Sequence, residues 1–192
     1  MGWLSAHSLH AVLAVLALMG AARVAELLVA RRASALARAR GEQPKREPVF
    51  LLMVLLHASP FLLAPLEVIA GERLFVPWLF VCCTLALALL AVARVWTLRS
   101  LGSRWNVRIV RPDAVVVHGP YAWVRHPNYA IVILELALLP LVHAAWLTSL
   151  FVSVANAFVL WRRIPAEEHV LLSVPGYREA MGHKKRFLPG LW

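Results

Sequence analysis

Leu74–Leu98, LFVPWLFVCCTLALALLAVARVWTL, decides the fold. It carries one charge, Arg94, near its end, and exceeds the ~20 apolar residues that a helix needs to cross a bilayer core. Working outward, the same hydropathy recurs in Leu9–Ala30, Val49–Ala70, Asn128–His143 and Trp146–Arg162. The last two are short and separated only by Ala144 and Ala145, so they read as a tight helical hairpin, with a re-entrant pair as the competing reading. The spans take up about half the chain and leave no room for a separate soluble domain. The fold expected is all-α: an integral membrane bundle of about five transmembrane helices forming one domain over residues 1–192. Within it, 1–98 is a three-span scaffold, and 99–192 supplies a loop, the hairpin and a tail helix.

Composition agrees. Of 192 residues, 61% are apolar and 16% charged, against about half and about a quarter in a soluble domain. This excludes a disordered chain and an ordinary cytosolic one. Lys and Arg number 20 against 10 Asp and Glu, a net charge of +10. The placement of these charges explains the excess. Arg31, Arg32, Arg38, Arg40, Lys45 and Arg46 follow the first span, and Arg99, Arg104, Arg108, Arg111 and Arg125 follow the third. Arg162, Arg163, Arg178, Lys184, Lys185 and Arg186 follow the fifth, whereas the opposite side offers Arg73. Positive charge marks the cytoplasmic side, which puts the N-terminus outside and the tail in the cytoplasm. Trp3, Trp78 and Trp146 fall at the outer boundary, and Trp96 and Trp161 at the inner one. The basic residues then face anionic membrane lipid; without aromatic platforms in a basic groove, no nucleic-acid partner is expected. Arg31–Arg40 keeps helical spacing and continues the first helix. Cys82 and Cys83, adjacent in an apolar run, lack metal-ligand spacing and read as packing residues. Met1–His10 has no basic n-region, Ala6 stands where myristoylation needs Ser or Thr, and Gly190-Leu191-Trp192 lacks a prenylation cysteine, so the helices are the expected anchor.

Two inner-face stretches exceed what an anchor needs. In the first, Asp113 to Tyr129, Gly119-Pro120 is a turn signal. Pro127 restricts His126 and suits the first turn of the fourth span. Asn128 and Tyr129 then lie where free backbone N–H groups and the helix dipole favour an anion. Arg125 adds charge, and Tyr121 and Tyr129 add flat surfaces, as a cofactor with a carboxylate and an adenine ring would require. An interfacial loop with belt aromatics is the alternative. In the second stretch, Arg162 to His169, Pro165 ends the fifth span and starts a new helix. Glu167 and Glu168 would then stabilise its first turn, or Glu167 would pair with a cationic ligand group while Arg163 holds an anionic one.

Together, Tyr121-Ala-Trp-Val-Arg-His-Pro-Asn-Tyr129 and Arg163-Ile-Pro-Ala-Glu167-Glu168 resemble the isoprenylcysteine carboxyl methyltransferase family. They are also similar to the wider membrane methyltransferases that include phospholipid methyltransferases. The resemblance runs from Trp105 to Pro189. It implies that S-adenosyl-L-methionine (SAM) binds at the cytoplasmic membrane edge. By matching position, Val115, Val116, Tyr121, His126, Pro127, Asn128 and Tyr129 line the SAM site and Glu167 closes it. Arg163 corresponds to the substrate-side arginine, and Glu168 to a second acidic position placed with it on the catalytic side. Asp113 departs from the pattern, standing where animal members carry His, and Ala180 replaces an aromatic expected after Tyr177. Arg23-x-x-Glu26, Leu-Gly-x-Arg-Trp-Asn106 and Arg-Phe-Leu-Pro189 are similar to bacterial members associated with type III polyketide synthases, which implies the inner membrane.

The reaction implied is O-methylation of a lipophilic acceptor, either a prenylcysteine-type carboxylate or the hydroxyl of an alkylresorcinol or alkylpyrone. A carboxylate needs no general base. A resorcinol hydroxyl, with a pKa near the ~10 of Tyr, benefits from one, and His126, Glu168 and His118 are the candidates. A phospholipid N-methyltransferase and a non-catalytic membrane scaffold are the rival readings. Among intramembrane polar residues, which are functional suspects, Arg23 and Glu26 share a helix face and can pair. With Arg94 they lie close enough to the interface to snorkel. Glu67 reads as solvated, His143 as a turn residue, and His57 either as a packed core histidine or as a substrate contact. Glu135 faces the bundle, within reach of ligand or Arg94.

Overall fold

The computed structural model describes residues 2–39, 41 and 47–187, with side chains from residue 10 onward. Arg40, Lys45, Arg46, Pro189, the chain's last three residues and the side chain of Trp3 lie outside the described residues. Six helices follow in order: α1 (Gly2–Ala39), α2 (Phe50–Ala70), α3 (Pro77–Leu101), α4 (Pro127–Leu141), α5 (Trp146–Leu171) and the short α6 (Tyr177–Met181). Among the described residues there is no strand, only a parallel bridge between Val124 and Lys185. The all-α reading is therefore the fold observed. Four helices are long and apolar enough to cross a bilayer: α1 from His10, α2, α3 with the turn after it, and α5. Their exposed faces carry Leu18, Ile69, Leu89 and Phe151, side chains that only a lipid surround leaves unpenalised. The chain is an integral membrane protein.

The fifth apolar helix differs in length. α4 has 15 residues, about 22 Å at 1.5 Å per residue, and does not reach across a core of ~30 Å. It turns back into α5 through Val142–Ala145, with Ala144 at φ 54°, which confirms the hairpin and His143 as part of its turn. Since α5 has 26 residues, it runs well past the start of α4. Its last three turns stand beside the loop that precedes α4 rather than beside α4 itself.

Pro165 lies inside α5 instead of ending it, contrary to the sequence expectation. Membrane helices tolerate proline where neighbouring groups re-satisfy the backbone, and here side chains on both flanks of Pro165 are tied into the bundle: Arg163 on one, Glu167 and Glu168 on the other. The two acidic residues therefore sit in a continuing helix, not in the first turn of a new one. The same tolerance is visible at Pro60 in α2. Its missing N–H frees the carbonyl of Leu56, and the Ser59 hydroxyl donates to that oxygen at 2.8 Å.

Three apolar clusters stack along the bundle. Val12 and Met19 of α1 meet Leu79, Leu87, Leu139 and Val142 at the hairpin end. Leu56, Val132, Leu136, Val152 and Val159 fill the middle. Val116, Tyr121, Val174, Tyr177 and Met181 close the tail end. Cys83 is buried in the first of these, as a packing residue should be. Gly119 allows the loop before α4 to dock on α3. Its φ is 60°, and a Cβ there would fall 2.1 Å from Ser100 Oγ.

Charges at membrane depth are matched rather than snorkelled. Arg94 donates from Nε and Nη2 to the two carboxylate oxygens of Glu26, at 2.6 and 2.9 Å, and from Nη1 to Glu135 at 3.0 Å. Arg23 lies 2.9 Å from Glu26 and 3.1 Å from Glu135. Two guanidinium and two carboxylate groups from α1, α3 and α4 thus form one neutral quartet. Fork-to-carboxylate geometry lets them stay inside, so no outward excursion is needed. Glu67 is likewise not solvated. It accepts hydrogen bonds from the backbone of Leu147 (3.1 Å) and Thr148 (2.7 Å), capping α5, and pairs with Arg73 at 3.0 Å.

Breaking the quartet on one side should be costly. Glu135→Leu leaves Arg23 and Arg94 short of a carboxylate in a buried site and should lower stability by about 3 kcal/mol, read as a lower unfolding midpoint in detergent. Replacing all four residues with Met or Leu should recover most of that loss.

Candidate active site

A cavity of about 460 Å³ opens between the loop preceding α4 and the overshooting end of α5, and continues toward α1 and α2. The volume falls within the ~300–1,000 Å³ of small-ligand pockets. Val115, Val116, Tyr121, His126, Asn128, Tyr129, Arg163 and Glu167 all lie on its wall. Pro127 and Glu168 do not. Pro127 is buried at the first position of α4 and sets where that helix starts.

The wall is assembled across the fold. The Tyr129 hydroxyl, in the first turn of α4, donates to Glu167 Oε2 on α5. Arg163 Nε donates to the same hydroxyl at 2.9 Å. Arg163 and Glu167 are one helical turn apart on α5, so Tyr129 bridges them. The remaining Arg163 nitrogens are also engaged: Nη2 donates to the Val107 carbonyl, and Nη1 lies 2.7 Å from Glu47 Oε2 and 3.0 Å from Met53 Sδ. Glu47 in turn accepts from the Ile109 backbone at 2.7 Å. Glu47 and Met53 were invisible as site residues in the sequence, where Glu47 sits in a polar connection and Met53 in an apolar run. No local pattern marks a partner more than a hundred residues away.

Glu168 faces away from the cavity and acts as a clasp. Arg186 donates from Nη2 at 2.7 Å and Nε at 3.1 Å, Arg125 Nη1 lies at 3.2 Å, and His126 Nε2 at 3.1 Å. The tail is pinned to the same loop by its backbone: the Arg125 and His126 amides donate to the Lys185 and Arg186 carbonyls, both at 2.9 Å. Lys184 Nζ donates to the Tyr121 carbonyl at 2.8 Å. Both Glu168 oxygens are thus engaged by the clasp, off the cavity wall and against His126. His118 is exposed and off the wall. Asp113 is also off the wall; Arg104, at 2.6 Å, holds its carboxyl below the usual carboxylate range. Ala180 packs against the Val116–Tyr177 cluster, where a small side chain suffices.

Three buried polar atoms of wall residues lack a hydrogen-bond partner among the described residues: Arg125 Nε, Asn128 Oδ1 and the Tyr177 hydroxyl. An unpaired buried polar group is penalised, and three around one cavity point to a polar ligand. Together they offer a charged donor, an amide acceptor and a hydroxyl, beside the Glu167 carboxylate and the Tyr121 ring. An amino-acid-bearing nucleoside such as SAM presents the matching groups, an ammonium, a carboxylate, hydroxyls and a planar base, and the residues present fit it.

A polytopic helical bundle enclosing a ligand-sized cavity defines the class of this protein, an integral membrane protein with an internal binding space. The isoprenylcysteine carboxyl methyltransferase (ICMT) family matches residues 79–173, a stretch that contains nearly all of α3, the loop, α4 and the whole of α5. The protein YpbQ of Bacillus subtilis (strain 168), uncharacterized by its description, is 34% identical over 159 residues, covering 82% of this chain and 94% of YpbQ. The chain belongs to the ICMT family, a family of membrane methyltransferases.

Burial pushes the Tyr177 phenol up to about 12, and burial together with the Glu167 charge pushes Tyr121 higher still. The chain has three tyrosines. In a Tyr129→Phe variant, the other two should therefore give little tyrosinate absorbance near pH 10, where a free phenol is about half ionised. Denaturation should release the full signal.

Proposed function

We propose that the protein is a SAM-dependent methyltransferase that O-methylates a lipophilic acceptor at the cytoplasmic face of the membrane. The observation that carries this reading is the meeting of Tyr129 and Glu167, from different helices, beside the unpaired atoms of Arg125 and Asn128. When bound, SAM supplies an electrophilic methyl group on its sulfonium. Glu167 and Asn128 Oδ1 would receive its ammonium, Arg125 Nε its carboxylate, and Tyr121 with Val115 and Val116 its adenine face. His126, fixed by the Glu168 clasp, shapes the floor.

Arg163 stands between this pocket and the apolar half of the cavity, where Leu27, Val54 and Phe61 form the wall. It would orient the reacting oxygen of an acceptor whose tail extends into lipid. Placing the oxygen at the membrane edge strips its water, and a desolvated oxygen held by fixed dipoles is the better nucleophile. The basic residues Arg31, Arg32, Arg38, Arg99, Arg108 and Arg111 all belong to the tail end of the bundle, which supports a cytoplasmic site; in a bacterium this is the inner membrane.

Purified protein with labelled SAM and three acceptors, a prenylated cysteine, an alkylresorcinol or alkylpyrone, and phosphatidylethanolamine, tests the proposal. Label on either of the first two supports it. Label on the amine lipid alone overturns the O-methyl assignment, and no label with no SAM binding overturns the methyltransferase reading in favour of a scaffold. Glu167→Ala should weaken SAM binding roughly tenfold or more, the loss of a charged hydrogen bond. Arg163→Lys, which keeps the charge beside Glu47 but loses the guanidinium fork, should raise KM for the acceptor and leave SAM affinity nearly unchanged.

A further inference from the structure

The membrane-side half of the cavity is built differently from the tail half. Its polar wall residues are His57 on α2, Asn156 on α5 and the quartet members Arg23, Glu26 and Arg94. Charge there is already balanced, because Arg23 and Arg94 are each bonded to both Glu26 and Glu135, and Arg163, at the border, is matched by Glu47. This half therefore offers an entering anion no unmatched guanidinium.

It does offer an acceptor. His57 Nδ1 lies 2.8 Å from the Met53 carbonyl. A carbonyl oxygen accepts and never donates, so Nδ1 carries the proton and the neutral ring has its lone pair on Nε2. Among the described residues Nε2 has no hydrogen-bond partner. Met53 connects this ring to the reaction end, since its sulfur touches Arg163 and its carbonyl holds His57. His57 thus stands one helical turn deeper than Arg163's contact, on the same wall, with an unused ring acceptor in a space whose other polar groups are the charge-balanced quartet and the neutral Asn156 amide.

Building on the methyltransferase reading, we infer that His57 Nε2 accepts a hydrogen bond from an uncharged hydroxyl of the methyl acceptor. The substrate class is then a hydroxylated lipophilic ring, phenolic or enolic, and not a carboxylate. His57 is a specificity-determining residue: a ring without a hydroxyl leaves Nε2 unpaired, and a carboxylate brings lone pairs against it with no free cation to compensate. Sites that hydrogen-bond a substrate hydroxyl discriminate strongly against analogues lacking it.

Three probes of one shape separate these cases: 4-hexylphenol, its methyl ether and 4-hexylbenzoate, titrated into the full chain in detergent without SAM. The unmodified protein should bind the phenol about tenfold tighter than the ether, and tighter than the benzoate. His57→Leu should bring the phenol down to the ether while leaving ether and SAM affinities in place, which shows that the variant is folded. His57→Gln, whose amide oxygen accepts, should keep most of the preference. Equal binding of phenol and ether, tighter binding of the benzoate, or a preference that survives His57→Leu would overturn the inference alone. Failure of the unmodified protein to bind SAM would instead overturn the methyltransferase reading on which the inference rests.

Discussion

The site depends on a mismatch in helix length. α4 and α5 are hairpin partners, yet α5 is 26 residues long and α4 15. Packed antiparallel from a tight turn, they leave eleven residues of α5 beyond the start of its partner, about 16 Å at 1.5 Å per residue. A helix end that has outrun its hairpin partner must find other partners for its side chains. Those it finds are Glu47 just before α2, Met53 in the first turn of α2, the loop from Val107 to His126, the first turn of α4 and the tail. Had Pro165 broken α5, Arg163 and Glu167 would not share one helical face, and Tyr129 could not bridge them.

Prolines at both ends of this arrangement act in opposite ways for the same reason. At Pro127 the lost N–H is one that the first turn of a helix never uses, so the residue fixes where α4 begins. At Pro165 the lost N–H frees the Trp161 carbonyl, and side chains on either flank hold the helix together across the gap. The sequence pattern is identical in the two cases, an apolar span next to X-Pro. What differs is tertiary: Glu167 and Glu168 have partners waiting on the loop and the tail. That is why the start of α4 was legible from Arg125-His126-Pro127, whereas the continuation of α5 was not. The apolar spans, the hairpin and the pairing of Arg23 with Glu26 were legible for a related reason, since each is a matter of composition or of near neighbours. Glu47 beside Arg163, Glu67 capping α5 and Glu168 bound to Arg186 are meetings between distant segments, which no spacing rule announces.

Polar groups in the bundle fall into two populations. At membrane depth the quartet is closed: every guanidinium meets carboxylates, and the cluster is neutral and bonded across α1, α3 and α4. Because α1 buries little of its surface against the other helices, this quartet, the Val12–Met19 contacts, the buried Ala30, Ala33 and Ala37 and the Ser34–Asn106 hydrogen bond hold it to the bundle. At the tail end the accounts are deliberately unlike. The clasp around Glu168 is saturated, while Arg125 Nε, Asn128 Oδ1 and the Tyr177 hydroxyl remain unpaired a short distance away.

Buried unpaired atoms also occur off the cavity, at Arg73, Thr84 and His143, so what marks this wall is that a charged donor, an amide acceptor and a hydroxyl are left unpaired around one ligand-sized space. Saturation of the neighbours then has a consequence of its own. Arg125 has its Nη1 on Glu168 and only its Nε free, so it presents a directed donor rather than a mobile charge. Tyr129, held between Arg163 and Glu167, links the tail half of the cavity to the membrane-side half. The two halves of the cavity thus share a single phenol, while Arg163 keeps its own contacts to Val107, Glu47 and Met53.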